Sequence, residues 1–298
     1  MLRRPRFERQ PAALVLQLTP RDLEILKHVA RHRFLNSQQI VQIVGGSRQH
    51  VLRRLQRLFH HGYLDRPRAQ VRYFSQAGSL PLAYALGSAG SRELTAPAAT
   101  RPRHDNGNVK QLYLEHTLLV AEVMLAFEQA CRAPGAPRLL TEADLAPGEN
   151  PTAAFHWSST VMHAGDRKRV GIVPDRTFAL ESPSTGERVL YFIEADRATM
   201  PVTRRTLHQS SFLRKLLAYE ATWAQGVHRD RFKCDRFRVL TVTSSPQRAL
   251  NLAAACDKLT RGRGLFLFTD ADALRASPDV FSHPWRNAHG EIECLAAA

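Results

Sequence analysis

The stretch from Glu187 to Asp196 (ERVLYFIEAD) decides how this chain of 298 residues folds. Five consecutive apolar or aromatic residues, Val189 to Ile193, predict a buried strand, and Glu194 and Asp196 follow at its end. Because alternate side chains of a strand point to the same face, these two carboxylates are expected on one side of it. The stretch therefore predicts a sheet that carries acidic groups at the end of a buried strand.

Helical and strand-like runs alternate on both sides of this stretch. Upstream, Gln111 to Cys131 predicts a helix, and Lys168 to Leu180 is strand-like around Pro174-Asp175. Downstream, the predicted order is a helix, a strand, a helix and a strand, at Thr206 to Trp223, Phe237 to Thr243, Pro246 to Leu259 and Gly264 to Thr269. Runs in this order predict an α/β module with a mixed sheet.

The first part of the chain predicts three helices followed by a basic hairpin. Helix starts are indicated by Thr19-Pro20 and Asn36-Ser37, and a third helix is expected from Ser47 to about His61. A strand is then expected at Tyr63-Leu64, and its returning partner at either Tyr73-Phe74 or Tyr84 to Leu86. This order is the plan of a winged helix-turn-helix domain.

The third helix has an apolar side that can pack and a basic side that can enter a major groove. Arginine can read guanine, and glutamine can read adenine, through paired hydrogen bonds to base edges. The predicted contacts to double-stranded DNA are Arg48, Gln49, Arg53, Arg54 and Arg57 of the helix and Arg66, Arg68 and Arg72 of the hairpin. A protein-docking role for the same module stays open, because winged helices serve that purpose too.

Positive charge is concentrated in the first third of the chain. The whole chain has a net charge of +15, of which residues 1–110 carry +13 and the remainder carries +2. We therefore predict a basic DNA-binding domain at residues 1–94, a linker at 95–110 that is rich in Ala and Pro, and a second domain at 111–298.

Composition excludes several other classes of protein. No apolar run approaches the roughly 18 residues that span a bilayer, and the basic N-terminus has no apolar core behind it, so a cytoplasmic protein without a membrane partner is expected. The four cysteines form no CxxC pair, which excludes structural zinc of the usual spacing. No phosphate-binding glycine motif is present, so nucleotide hydrolysis is not predicted.

Pro174-Asp175 and Glu194-Ala195-Asp196, in their predicted strands, resemble the PD-(D/E)xK nuclease superfamily. The resemblance implies a restriction-endonuclease-like mixed-sheet domain in which Asp175, Glu194 and Asp196 bind Mg²⁺, a hard cation that prefers carboxylate oxygens. Glu115 matches a position where this superfamily often has another metal-binding acid. The lysine of the superfamily pattern is replaced by Asp196, and Lys215 of the following helix is the candidate substitute.

The acids also have an interpretation in which their role is purely structural. Asp175 could cap a turn, and Glu194 and Asp196 could form ion pairs with a neighbouring arginine, for which the candidates are Arg197, Arg204 and Arg205. The sequence alone therefore leaves open whether the second domain cuts DNA.

The two modules together resemble the replication-relaxation family of plasmids and integrative elements. The matching features are the helix set from Thr19 to Leu64, His116, Pro174-Asp175, Glu194 to Arg197, and Lys215 with Tyr219. The resemblance implies DNA binding linked to plasmid replication, mobilisation or DNA relaxation.

Three functions follow as hypotheses. The first is a mobile-element protein whose winged helix binds duplex DNA and whose nuclease-like domain need not cut. The second is an active Mg²⁺-dependent endonuclease or nickase that uses Asp175, Glu194 and Asp196, assisted by Glu115 and Lys215. The third is a transcriptional regulator whose second domain dimerises. A homodimer and contacts with other replication or mobilisation proteins are compatible with all three.

Overall fold

The computed structural model divides into two compact units, Met1–Leu125 and Ala126–Ala298. It describes residues 6–10, 15–71, 80–94, 106–148, 150–163, 165–204 and 206–295. In these ranges, no helix combines the length and the apolar character that crossing a membrane requires.

The first unit begins with three helices, as predicted. They are α1 (Pro20–His32), α2 (Ser37–Val44) and α3 (Arg48–His60). Thr19 and Asn36 cap the first two helices, each in a reciprocal box with the side chain three residues later. The sequence also predicts Ser47 as the cap of the third helix; Ser47 does precede α3, but its side chain makes no capping hydrogen bond, so that part of the prediction is wrong.

A small antiparallel sheet and two further helices complete the first unit. Its strands are β1 (Leu35–Asn36), β2 (Leu64–Asp65) and β3 (Ala83–Leu86), and they lie in the order β1-β3-β2. The helices α4 (Ser88–Leu94) and α5 (Gln111–Ala130) follow in the chain. The division between the two units falls within α5. The returning strand is therefore the second of the two predicted alternatives. Arg72 and Tyr73-Phe74 lie outside the described residues, as do residues 95–105 of the predicted linker.

A buried ion pair joins α1 to α3. Asp22 is completely buried, and its carboxylate receives two hydrogen bonds from Arg54, one of them from Nε at 2.6 Å. Arg54 also donates to the backbone oxygen of Gln17 at 2.6 Å. Burial alone would raise the pKa of Asp22, but the hydrogen bonds from Arg54 and Thr19 outweigh it and lower the pKa below its ordinary value.

The second unit is built on a seven-stranded mixed sheet with the order β12-β11-β10-β9-β8-β7-β4. The strands β8, β9 and β10 are parallel, and the other neighbours are antiparallel. The bounds are β4 (Arg138–Thr141), β7 (Arg176–Glu181), β8 (Arg188–Asp196), β9 (Arg236–Thr243), β10 (Phe266–Asp270), β11 (Trp285–Asn287) and β12 (Ile292–Glu293). A separate hairpin is formed by β5 (Trp157–His163) and β6 (Asp166–Ile172).

Helices pack against this sheet. They are α6 (Glu142–Leu145), α7 (Pro151–Ala154), α8 (Phe212–Ala224), α9 (Val227–Phe232), α10 (Pro246–Cys256) and α11 (Ala271–Ala276). Phe192 of β8, Tyr219 of α8 and Phe266 of β10 are almost completely inaccessible and lie in one apolar core. The predicted α/β architecture with a mixed sheet is confirmed.

Three predicted elements of the second unit differ from the structure. The run Lys168 to Leu180 is two strands in different sheets, because Val173 to Asp175 separate β6 from β7. The helix expected from Thr206 begins at Phe212, where the Ser211 side chain accepts a hydrogen bond from the backbone N–H of Arg214. The helix expected to reach Leu259 ends at Cys256.

We predict that Arg54→Ala lowers the free energy of unfolding by about 3 kcal/mol, because it leaves the buried Asp22 carboxylate without its cation. Urea unfolding monitored by circular dichroism measures the change. Arg53→Ala is the matched control, since Arg53 is the exposed neighbour on the same helix and its removal should cost less than about 0.5 kcal/mol. Equal effects of the two substitutions would contradict a structural role for Arg54.

Candidate functional site

The predicted acids lie where the parallel strands of the second unit end. Glu194 is next to Thr241 and Asp196 is next to Thr243 in the register of β8 with β9. The two acids alternate along β8, and both are buried, with 2 % and 7 % of their surfaces exposed. Strand alternation places them on the same face of the sheet, as predicted.

Asp175 is fastened to β8 directly beside Glu194. Its backbone N–H donates to the Ile193 oxygen at 3.0 Å, and its Oδ2 accepts the backbone N–H of Ala195 at 2.7 Å. Asp175 thus bonds to the residues on both sides of Glu194. Two carboxylates that are far apart in the sequence are therefore neighbours in the fold.

Glu194 is bound on both oxygens by side chains of α8. Nζ of Lys215 lies 2.5 Å from Oε2, and the Tyr219 hydroxyl donates to Oε1 at 2.7 Å. Lys215 and Tyr219 are four residues apart, so they lie on one face of the helix, one turn from each other. The lysine that the sequence placed on this helix does reach the acidic cluster.

The charges of this cluster depend on one another. Burial raises the pKa of Glu194, and the nearby charge of Lys215 opposes that rise. Burial would lower the pKa of Lys215, but the negative charges of Glu194 and Asp175 outweigh it and raise the pKa above its ordinary value. Burial, followed by the charge of Glu194, raises the pKa of Tyr219 well above its usual range. Lys215 is therefore held as a cation within the cluster.

Asp196 has a different partner. Arg248 of α10 donates to both of its oxygens, from Nε at 2.7 Å and from the second guanidinium nitrogen at 3.2 Å. The Thr243 hydroxyl adds a hydrogen bond at 3.1 Å. This paired, buried geometry is that of a structural ion pair that ties β8 to α10.

Arg248 is not among the arginines predicted as partners of these acids, which are Arg197, Arg204 and Arg205 and follow Asp196 closely in the chain. Arg248 is 52 residues further on and becomes a neighbour only because α10 packs on β9 and β10, which follow β8 in the sheet. Ser245-Pro246 indicates a helix start and so places Arg248 in the first turn of α10. The local sequence does not indicate which acid Arg248 contacts.

Glu115 lies on α5 in the first unit. Its carboxylate accepts a hydrogen bond from Nε2 of Gln111 at 3.0 Å, one turn earlier on the same helix. Its assignment to the metal site stays a prediction. Within the second unit, the structure brings together Asp175, Glu194 and Lys215, with Asp196 beside them on β8.

The predicted DNA contacts of the first unit fall into two groups. Two of the arginines have internal partners: Arg54 in its ion pair with Asp22, and Arg66, which is 7 % exposed and stacks 4.1 Å from the centre of the Phe59 ring. The exposed candidates are Arg48, Gln49, Arg53 and Arg57 of α3 and Arg68 of the short 3₁₀ turn Arg68–Gln70. The exposed side chains remain available to a ligand.

We predict that Lys215→Met lowers the free energy of unfolding in a manner that depends on pH. Burial raises the pKa of Glu194, so the carboxyl is protonated and needs no cation at low pH, and the destabilisation should grow as the pH rises. It should reach about 3 kcal/mol at about pH 8 and be smaller at about pH 5, measured by urea unfolding.

The control for this prediction is the double variant Glu194→Gln with Lys215→Met, which removes the buried charge together with its partner. Its stability should vary with pH no more than that of the unmodified chain. A pH-independent destabilisation in Lys215→Met would contradict the assigned ion pair.

Comparison with known proteins identifies the family of this chain. Neither the curated proteins nor the solved structures contain a match to it. The sequence profile of the Replication-relaxation family matches residues 26–234, which is more than two thirds of the chain and includes Asp175, Glu194 and Lys215. The chain therefore belongs to the Replication-relaxation family, and membership implies a protein associated with the replication of plasmids or other mobile elements.

Proposed function

We propose that the protein binds duplex DNA of a mobile element through its first unit. The observation that carries the proposal is the exposed basic side of α3. Arg53 and Arg57 are four residues apart and exposed, while Val51, Leu55 and Leu58 of the same helix are buried in the core of the unit. A helix packed on one side and cationic on the other suits the major groove.

The start of the same helix supports base recognition. Arg48 and Gln49 are exposed in its first turn, and the first turn of a recognition helix is the part that reaches base edges. Three helices followed by a small antiparallel sheet also fit the winged-helix plan. Arg68 is exposed beyond β2, which supports its assignment to a phosphate contact. Arg54 and Arg66 support the fold of this unit rather than its DNA contacts.

We predict that Arg53→Ala with Arg57→Ala weakens duplex binding and reduces its salt dependence. A plot of the logarithm of the association constant against the logarithm of the salt concentration has a negative slope. The magnitude of this slope should fall by about 0.9 for each phosphate that is no longer neutralised. Fluorescence anisotropy with a duplex from the replication region of the host element, at several salt concentrations, measures the slope.

The charge-matched control is Lys27→Ala with Arg92→Ala, which removes two cations from α1 and α4 of the same unit. This control should keep the slope of the unmodified chain. An unchanged slope in the Arg53 and Arg57 variant would reject DNA binding by α3 and favour the protein-docking hypothesis.

A second candidate function is Mg²⁺-dependent nicking by the second unit. The specific observation in its favour is the meeting of Asp175, Glu194 and Lys215 at the end of β8. Two carboxylates and a lysine at a strand end fit the expectation drawn from the PD-(D/E)xK resemblance. Lys215 takes the place of the missing strand lysine from the neighbouring helix.

The donor chemistry of the cluster is compatible with a hard cation. An ionised carboxylate has about four acceptor positions, so the hydrogen bonds from Lys215 and Tyr219 leave part of Glu194 available. Asp175 supplies the second carboxylate, and Mg²⁺ commonly uses only one or two. A bound divalent cation would polarise a phosphodiester and lower the pKa of the attacking water.

The residues of the chain then have separate roles. Lys215, held as a cation, offsets negative charge at the scissile phosphate, and Tyr219 fixes the orientation of the Glu194 carboxylate. Asp196 is a positioning residue, because two hydrogen bonds from Arg248 and one each from Thr243 and Ala198 use its roughly four acceptor positions, whereas Glu194 accepts two. The metal ligands in this proposal are Asp175 and Glu194, with Asp196 outside the set.

We predict that the full chain nicks supercoiled plasmid in the presence of Mg²⁺ or Mn²⁺, and that Asp175→Asn slows nicking by roughly 100-fold or more. Agarose electrophoresis of nicked circles measures the rate. Asp272→Asn is the control, because the Asp272 side chain is 86 % exposed on α11 and should keep full activity.

Absence of nicking by the unmodified chain would reject the second candidate and leave DNA binding as the function. Binding confined to the promoter of its own gene, without nicking, would favour the regulator hypothesis.

A further inference from the structure

A segment without acids follows the acidic end of β8. Between Arg197 and Tyr219 the chain has four arginines, one lysine and no aspartate or glutamate. The second unit as a whole has nearly balanced charge, so this segment is a local excess of cations. It begins directly after Asp196 and ends in α8, which carries Lys215 to Glu194.

An open cavity lies along this segment. Its volume is about 570 Å³, and its lining consists of His163, Thr203, Arg204, Gln209, Leu213 and Lys258. A second cavity of about 510 Å³ shares Arg204 and Gln209 with it, so the two form one continuous surface. Among the described residues, the lining of neither cavity contains a carboxylate.

The β5–β6 hairpin adds further nitrogen donors beside this surface. Nζ of Lys168 on β6 lies 3.0 Å from Nδ1 of His208, which belongs to the acid-free segment. His163, at the end of β5, lines the larger cavity itself. The hairpin is fixed in place, because Trp157 and Ser159 of β5 each hydrogen bond to Thr222 of α8 at 2.8 Å.

The smaller cavity lies next to the acidic end of β8. Met200 lines this cavity, and its backbone oxygen accepts a hydrogen bond from Arg248, which also binds Asp196. Asp196 is two residues from Glu194 on β8, so an anionic chain lying in the cavities would run toward the end of the strand that carries the cluster. Arg204 and Lys258 are exposed and Lys168 is half-buried, with polar groups between them. Cations spaced in this way suit repeated, evenly spaced negative charges, as in a nucleic-acid backbone.

We propose that this surface, formed by His163, Lys168, Arg204, His208 and Lys258, binds the phosphodiester backbone of DNA. It is a second DNA contact, separate from α3, and it guides the strand toward Asp175 and Glu194. The proposal rests on DNA binding as the proposed function and extends it to the second unit.

The experiment compares two duplexes on the full chain. The shorter one spans about one helical turn around the site bound by α3, and the longer one adds about one turn on each side. The unmodified chain should bind the longer duplex more tightly and with a steeper salt dependence. The variant Arg204→Ala with Lys258→Ala should keep the affinity for the shorter duplex and lose the additional affinity for the longer one. Its salt dependence on the longer duplex should be less steep, by about 0.9 in slope for each phosphate that is no longer neutralised.

The charge-matched control is Arg229→Ala with Arg275→Ala, which removes two exposed cations of the same unit that line neither cavity. It should keep the added affinity from the flanks, and thermal melting of all variants checks that they fold. Equal added affinity in the Arg204 and Lys258 variant and in the unmodified chain would overturn the inference, as would the absence of any added affinity. Failure of the unmodified chain to bind either duplex would instead overturn the proposed function, so the two failures are distinguishable.

Discussion

The buried carboxylate of Glu194 is the constraint on which the second unit depends. A charge that is 2 % exposed is costly unless it is paired and hydrogen bonded, and here Lys215 and Tyr219 satisfy both oxygens. Both partners come from α8, so the acid determines how this helix docks on β8. The apolar residues of α8 pack in the same core as β8, so the ion pair and the apolar side of the helix dock on the sheet together.

The edge where the parallel strands end carries several acids, and the groups that bind each acid decide its role. Glu194 meets a lysine and a tyrosine, and its neighbour Asp175 is held by backbone groups of β8. Asp196 meets a guanidinium that covers both of its oxygens, and Asp270 of β10 caps α11 by accepting the N–H of Ala273. The first two acids are neighbours beside a lysine, whereas the other two hold helices in place. Equivalent residue types at one sheet edge therefore divide into a candidate site and its supports.

Local patterns were enough to predict part of this arrangement. The capped helices of the first unit, the buried strand before Glu194 and the helix that carries Lys215 all depend on short stretches of sequence. The structure confirms them, except that the last helix begins at Phe212 and not at Thr206. Pro174-Asp175 separates two strand-like runs in the sequence, but nothing local indicates that these runs join different sheets, because sheet membership depends on tertiary pairing. The partner of Asp196 was missed because Arg248 is distant in the chain and meets it only through tertiary packing.

The same limit applies to the interpretation of charge. A net charge of +13 in the first 110 residues predicts a partner of opposite sign, but it treats every arginine alike. In the fold, Arg54 forms an ion pair with Asp22, and Arg66 packs against aromatic rings, so both have partners within the first unit. Counterion release on DNA binding counts only the cations that reach phosphates. In the proposed DNA complex, the salt dependence should therefore follow the exposed cations of α3 and of the surface around Arg204, and fall short of what the net charge suggests.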